Sequence, residues 1–145
     1  MSDQSLTKTI GFRVNLTATE MRRFLDTRLR HLGITGQQWK ILHFCTQEGI
    51  DIPGDLAKVM SIDGTAITRL LDRLEKQKLI HRLQNPDDRR SLKLEVSPAG
   101  YKVEKEATRI VMLASSEVTS GITEKDLEVT MRTLQALVDG VHRNA

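Results

Sequence analysis

Residues 64–96, GTAITRLLDRLEKQKLIHRLQNPDDRRSLKLEV, hold two hydrophobic periods side by side. Ile67, Leu70, Leu71 and Leu74 recur at three- and four-residue steps, the spacing of one helix face. The opposite face, at about 100° per residue, carries Thr65, Arg69, Asp72 and Lys76, with Thr68 and Arg73 flanking. From Leu92 the period falls to two: Leu92, Leu94 and Val96 alternate with Lys93 and Glu95, as in a strand with one buried face. Leu79–Leu83 is the natural partner strand, and Asn85-Pro86 opens the connection. The stretch therefore predicts a helix over Thr65–Gln77, capped by Asp63 or Ser61. A two-stranded antiparallel hairpin over 79–96 follows, with Asp87, Asp88, Arg89 and Arg90 at its tip.

The flanking sequence is helical on both sides. Ile10, Val14, Met21, Leu25, Leu29 and Leu32 predict an amphipathic helix from about 8 to 31, stopped near Gly33. Thr35-Gly-Gln-Gln38 has the form of a capping box and opens a helix to about 48, with Trp39, Leu42 and Cys45 on one face. Gly54–Met60 forms a short helix burying Leu56, Ala57 and Met60. Ser97-Pro98 places a cap before a proline at the first helical position and starts a helix to about 120, ended by Gly121. Thr123 caps the last helix. There Leu127, Met131, Leu134, Val138 and Val141, spaced 4, 3, 4, 3, form a heptad seam.

The chain has 145 residues, 39% hydrophobic and 28% charged, which fits a globular protein. No apolar run approaches the roughly 18 residues of a membrane helix, and the first thirty residues lack a signal-peptide core. One cysteine excludes an internal disulfide framework and suits a reducing cytoplasm. The net charge is only +3, but it is unevenly distributed. The window 69–93 holds eight of the 22 Lys/Arg and four of the 19 acids. Elsewhere fourteen basic groups meet fifteen acidic ones. A basic patch on a near-neutral body is the footprint of a nucleic-acid binder.

The order of elements strengthens that expectation. Helix, short helix, helix with a basic outer face and charged hairpin is the order of a winged helix-turn-helix, whose second motif helix enters the major groove. Thr65 and Arg69 lie where side chains reach base edges, and arginine reads guanine through O6 and N7. Arg73 and Lys76 lie further along, where phosphate contacts fix register. An arginine on a rigid hairpin can enter a narrow, negative minor groove. Asp88 is expected to splint the tip by accepting hydrogen bonds from arginine or backbone donors. Arg82, Arg89 and Lys93 complete the basic set of the hairpin.

The segment TRLLDRLEKQKLIHRLQNPDDRRSLKLEVSPAG, residues 68–100, resembles the MarR (multiple-antibiotic-resistance regulator) family in its helix end, its D-x-R tip and its exit, with Ser97 in a threonine place. The resemblance extends loosely over the whole chain. It implies a mainly α protein with a small β-hairpin wing, a winged helix-turn-helix with long N- and C-terminal dimerisation helices. The corresponding divisions are 1–34, 35–97 and 98–145. It implies a homodimeric, ligand-responsive repressor that binds double-stranded DNA at a palindromic promoter site. On this pattern Arg90 is the minor-groove arginine and Asp88 its partner, and Arg69 meets bases with Gly64, Thr65 and Thr68 nearby. The dimer interface would take Ile10, Val14 and the seam Leu127, Met131, Leu134, Val138 and Val141. Many relatives are released by small aromatic or phenolic acids held in a crevice of the first, second and fifth helices; Arg13, Trp39, His43 and Arg109 are the candidates here. One departure stands out: the family's glycine after the recognition helix is Lys78, where a left-handed cap would cost about 1 kcal/mol. The helix end is therefore expected to differ.

Other chemistries find little support. His31, His43, His81 and His142 form no metal-ligand spacing, and no phosphate loop or nucleophile elbow occurs. No enzyme activity, metal or cofactor is expected. Cys45, on an apolar stripe, reads as inert packing. The rival is a winged-helix protein–protein module that binds no DNA, and it has no use for a basic helix face beside a basic wing.

Overall fold

The computed structural model describes residues 5–145, so the first four residues of the expected 1–34 segment lie outside it. The described elements run α1 (Ile10–Leu29), α2 (Gly36–Gln47), α3 (Pro53–Met60), α4 (Gly64–Lys76), β1 (Ile80–Gln84), β2 (Leu92–Val96), α5 (Pro98–Thr119) and α6 (Glu124–Asn144). The family fold is thus the observed one: mainly helical, with one antiparallel hairpin.

Helix ends follow the caps in the sequence. Thr35 accepts from the Gln38 backbone N–H at 3.3 Å while the Gln38 side chain accepts from the Thr35 N–H at 2.9 Å, closing the capping box. Of the two candidates for α4, Asp63 is the cap and accepts from the Ala66 N–H at 2.8 Å. Ser97 caps α5, accepting from Gly100 N–H at 3.0 Å and donating to the Lys78 carbonyl at 2.7 Å. The first helix is shorter than expected. Thr9 caps it by accepting from the Phe12 N–H, and at its far end the chain tightens into a 3-10 turn over Arg30–Leu32 before Gly33 at φ 73°.

Lys78 corrects one expectation. The helix does end as if a glycine were there: Lys78 takes φ 61°. Its N–H donates to Glu75 O at 2.9 Å, and the Leu79 N–H donates to Leu74 O at 3.0 Å. These are the two bonds of a Schellman ending, closed by apolar contact between the third-last helical residue and the second residue past the cap. Leu74 and Leu79 fill those places and are both buried. That contact and the Ser97 bond to the Lys78 carbonyl outweigh the strain.

The contacts divide the chain into a unit ending at Ala114 and a second unit, Ser115–Ala145. The first contains the core: Leu29 of α1, Ile41 and Leu42 of α2, Leu56 of α3, Ile67, Leu71 and Leu74 of α4, Ile80, Leu94 and Ala107. Each full burial of such a leucine or isoleucine contributes roughly 1.5–3 kcal/mol. In the hairpin, Ile80 pairs with Val96 and Gln84 with Leu92. The alternation expected of β2 holds only at its inner end. Leu94 is buried, but Leu83 and Leu92 are each 45% exposed, because the outer half of the hairpin projects beyond the core. In the second unit α6 has no buried residue.

Candidate nucleic-acid interface

The α4 face expected to read DNA is free of the core. Thr65, Thr68, Arg69, Arg73 and Lys76 are exposed, as is Gly64. Gly64 has open space where a Cβ would stand. Thr68 donates its hydroxyl to the Gly64 carbonyl at 2.9 Å, leaving oxygen lone pairs to accept. No ion pair occupies Arg69, Arg73 or Lys76 among the described residues. The turn from α3 into α4 is fixed by Ser61 in the left-handed region, φ 53°, and by Ile62 N–H donating to Ala57 O at 3.1 Å.

The hairpin tip is braced across its mouth. Asn85 donates through its backbone to Ser91 O at 3.2 Å and through its side chain to the Ser91 hydroxyl at 3.0 Å. Its own side-chain oxygen accepts from Asp87 N–H at 3.0 Å. Asp88 is a splint: it accepts from the Arg90 backbone N–H at 3.0 Å. Its donor is backbone, not a guanidinium. Arg89 and Arg90 are consequently exposed cations on an ordered loop, a geometry suited to insertion between phosphate walls.

Two members of the expected DNA-facing set are engaged elsewhere. Arg82 is held within the protein. Its Nη1 lies 2.7 Å from Asp72 Oδ1 and its Nε 2.9 Å from Glu75 Oε2, while its backbone N–H also donates to Glu75 at 3.2 Å. The Arg82 hydrogen bond holds the Glu75 carboxyl below the ordinary carboxylate range, and the same bond raises the guanidinium. Lys93 leans towards Asp51, 3.7 Å away, and the Asp51 carbonyl accepts from Leu94 N–H at 2.8 Å.

The four candidate effector residues do not form one site. Trp39 and His43 lie side by side on α2, ring centroids 5.2 Å apart, and both turn to α5. The indole donates to Thr108 Oγ1 at 2.9 Å, Thr108 donates to Glu104 at 2.8 Å, and His43 Nδ1 lies 3.0 Å from the same carboxylate oxygen. Glu104 is 4% exposed. This network was missed in the sequence; its signal is two polar pairs, Trp39/His43 and Glu104/Thr108, each at helical i, i+4 spacing. Arg109 instead pairs with Glu106 at 2.6 Å and borders a cleft of about 640 Å³ with Leu32, Val103, Lys102 and Lys105. Arg13 is exposed on α1. Cys45 is half-buried, and burial, followed by the Asp51 charge, pushes its thiol up to about 12. Among the described residues no cluster of His, Cys, Asp or Glu could hold a metal ion.

Residues 34–92, which include α2, α3, α4 and the hairpin as far as the first residue of β2, match the MarR family. The chain resembles the MarR family in sequence over these residues and in fold over nearly its whole length. The multiple antibiotic resistance protein MarR of Salmonella typhimurium is 36% identical over 94 residues. The match covers 65% of this chain and about 65% of that relative's length. A cysteine-to-serine variant of Escherichia coli MarR, solved with operator DNA, superposes with a TM-score of 0.81 at 26% identity, covering 92% of this chain and 99% of that one. CouR from Rhodococcus jostii RHA1, solved bound to p-coumaroyl-CoA, gives a TM-score of 0.78 at 25% identity, covering 93% and 95%.

Proposed function

We propose that this chain is a homodimeric transcription regulator of the MarR family that binds a palindromic promoter site and acts as an effector-responsive repressor. The observation that carries the reading is the pairing of an unencumbered basic face on α4 with a braced, cationic wing tip, on a lobe whose Asp72 and Glu75 are bridged by Arg82. Arg69, with Gly64, Thr65 and Thr68 around it, addresses base edges. Arg73 and Lys76 address phosphates, and Arg89 and Arg90 address the minor groove. The operator complex of the E. coli relative supports this role.

Two-fold symmetry in the target calls for two copies. Met131, Leu134, Val138 and Val141 of α6 are 68%, 40%, 47% and 67% exposed, an apolar seam that a second copy covers. Ile10 and Val14 of α1, also exposed, take part in the same association. The functional divisions are then 1–34, 35–97 and 98–145. The cleft lined by Leu32, Val103, Lys102, Lys105, Glu106 and Arg109 is the place for a small aromatic or phenolic effector; the p-coumaroyl-CoA bound to CouR is an aromatic ligand of a similar protein. The chain performs no catalytic step and works in the cytoplasm; no described helix is long and apolar enough to cross a membrane.

Footprinting on the DNA upstream of its own coding region tests the reading. The expected result is two symmetric protected half-sites about one helical turn, roughly 10 base pairs, apart. Uniform or absent protection at low salt would overturn it.

A further inference from the structure

Among the described residues, Arg82 is the basic residue of the hairpin that pairs with acids of α4. An ion pair from Nη1 to Asp72 and two hydrogen bonds to Glu75, from Nε and from the backbone N–H, join it there. Its side chain is 25% exposed, less than the 56% and 41% of the two acids it bridges. The bridge is short in sequence on the strand side and spans one helical step on the α4 side, from residue 72 to residue 75. It therefore fixes both the distance and the tilt of β1 against the recognition helix. The outer hairpin, where Leu83 and Leu92 are exposed, has little apolar packing to do this.

We infer that Arg82, Asp72 and Glu75 form a positioning clamp that sets the wing at the angle where Arg90 and α4 engage adjacent grooves together, and that Arg82 is not itself a phosphate contact. The inference rests on the DNA-binding reading above. A rigid clamp matters because a groove contact is gained only if both elements fit at once, and a small tilt at β1 is magnified at a tip several residues further out. The two acids are otherwise hard to account for. A carboxylate beside DNA repels phosphate, so Asp72 and Glu75 belong on this face only if holding Arg82 offsets the repulsion.

If charge alone mattered, Glu75→Gln would strengthen binding and Arg82→Gln would weaken it. The clamp predicts that both weaken binding to the operator in the same direction, by about tenfold, the loss of one good groove contact. Binding to a scrambled duplex should not fall in Glu75→Gln, since a negative charge has been removed. Neither substitution should weaken operator binding further in an Arg90→Ala background, because the wing contact they support is already gone.

The experiment is anisotropy titration of the full-length protein, in wild-type and variant forms, on operator and scrambled duplexes, with thermal melts alongside. If Glu75→Gln melts abnormally, Asp72→Ala, which removes only the Nη1 partner, takes its place. Stronger operator binding by the acid variant, or additive losses with Arg90→Ala, would overturn the clamp. Failure of the wild-type protein to prefer its operator would instead overturn the DNA-binding reading, so the two failures are separable.

Discussion

Lys78 sits at φ 61°, where a side chain costs about 1 kcal/mol relative to glycine. Lys78→Gly should therefore raise stability by roughly 1 kcal/mol in urea unfolding, since the cap bonds are backbone bonds and survive the change. Lost stability would mean that the lysine side chain itself holds the turn. At Cys45 the thiol is pushed up to about 12, so it stays protonated in the fold while an unfolded chain ionises near 9. The neutral thiol's contribution is complete below about pH 9 and is lost as pH rises from there towards 12. A disulfide reagent at pH 8 should accordingly label Cys45 slowly in the native protein and rapidly in denaturant; equal rates would refute its burial. The apolar stripe had already marked this residue as packing. Arg82 was not legible in the same way. Its partners lie seven and ten residues back, and only the fold of β1 onto α4 decides between them and a phosphate.

Elements were legible where local chemistry sets them. Thr35–Gln38, Asp63, Ser97 and Thr123 all cap as their side chains dictate, because a cap is decided within four residues. What sequence could not supply is where the core ends. Leu92 alternates with Leu94 and Val96 as if half-buried, yet it is 45% exposed. Gly100 is a further case, invisible in the sequence as anything but a helical glycine. A Cβ there would collide with the Leu79 carbonyl and with Val96, since α5 starts pressed against the exit from α4. Gly100→Ala should destabilise the fold by about 1–3 kcal/mol, an overpacking penalty, measured by thermal or urea unfolding. An unchanged transition would show that the α5 entry can shift.

At the scale of the molecule, the heptad spacing of α6 was the readable sign of association, and the exposure of Leu134 and its neighbours in a single copy agrees with that use. Leu134→Asp should convert the dimer to a monomer in sedimentation, because an unpaired carboxylate in an apolar seam is costly. A variant that still sediments as a dimer would place the interface elsewhere. The part-buried Trp39–Thr108–Glu104–His43 network was not readable at this scale, since it joins residues 61 to 69 positions apart through the packing of α2 on α5.

The central claim is that α4 and the wing read DNA sequence. Its most direct test is anisotropy of the chain's own upstream duplex, competed by a scrambled duplex at several salt concentrations, for wild type, Arg69→Ala and Arg90→Ala. The account predicts salt-sensitive binding that survives the competitor and weakens by about 1–3 kcal/mol in each variant. Equal affinity for both duplexes, or variants that bind as wild type does, would contradict it.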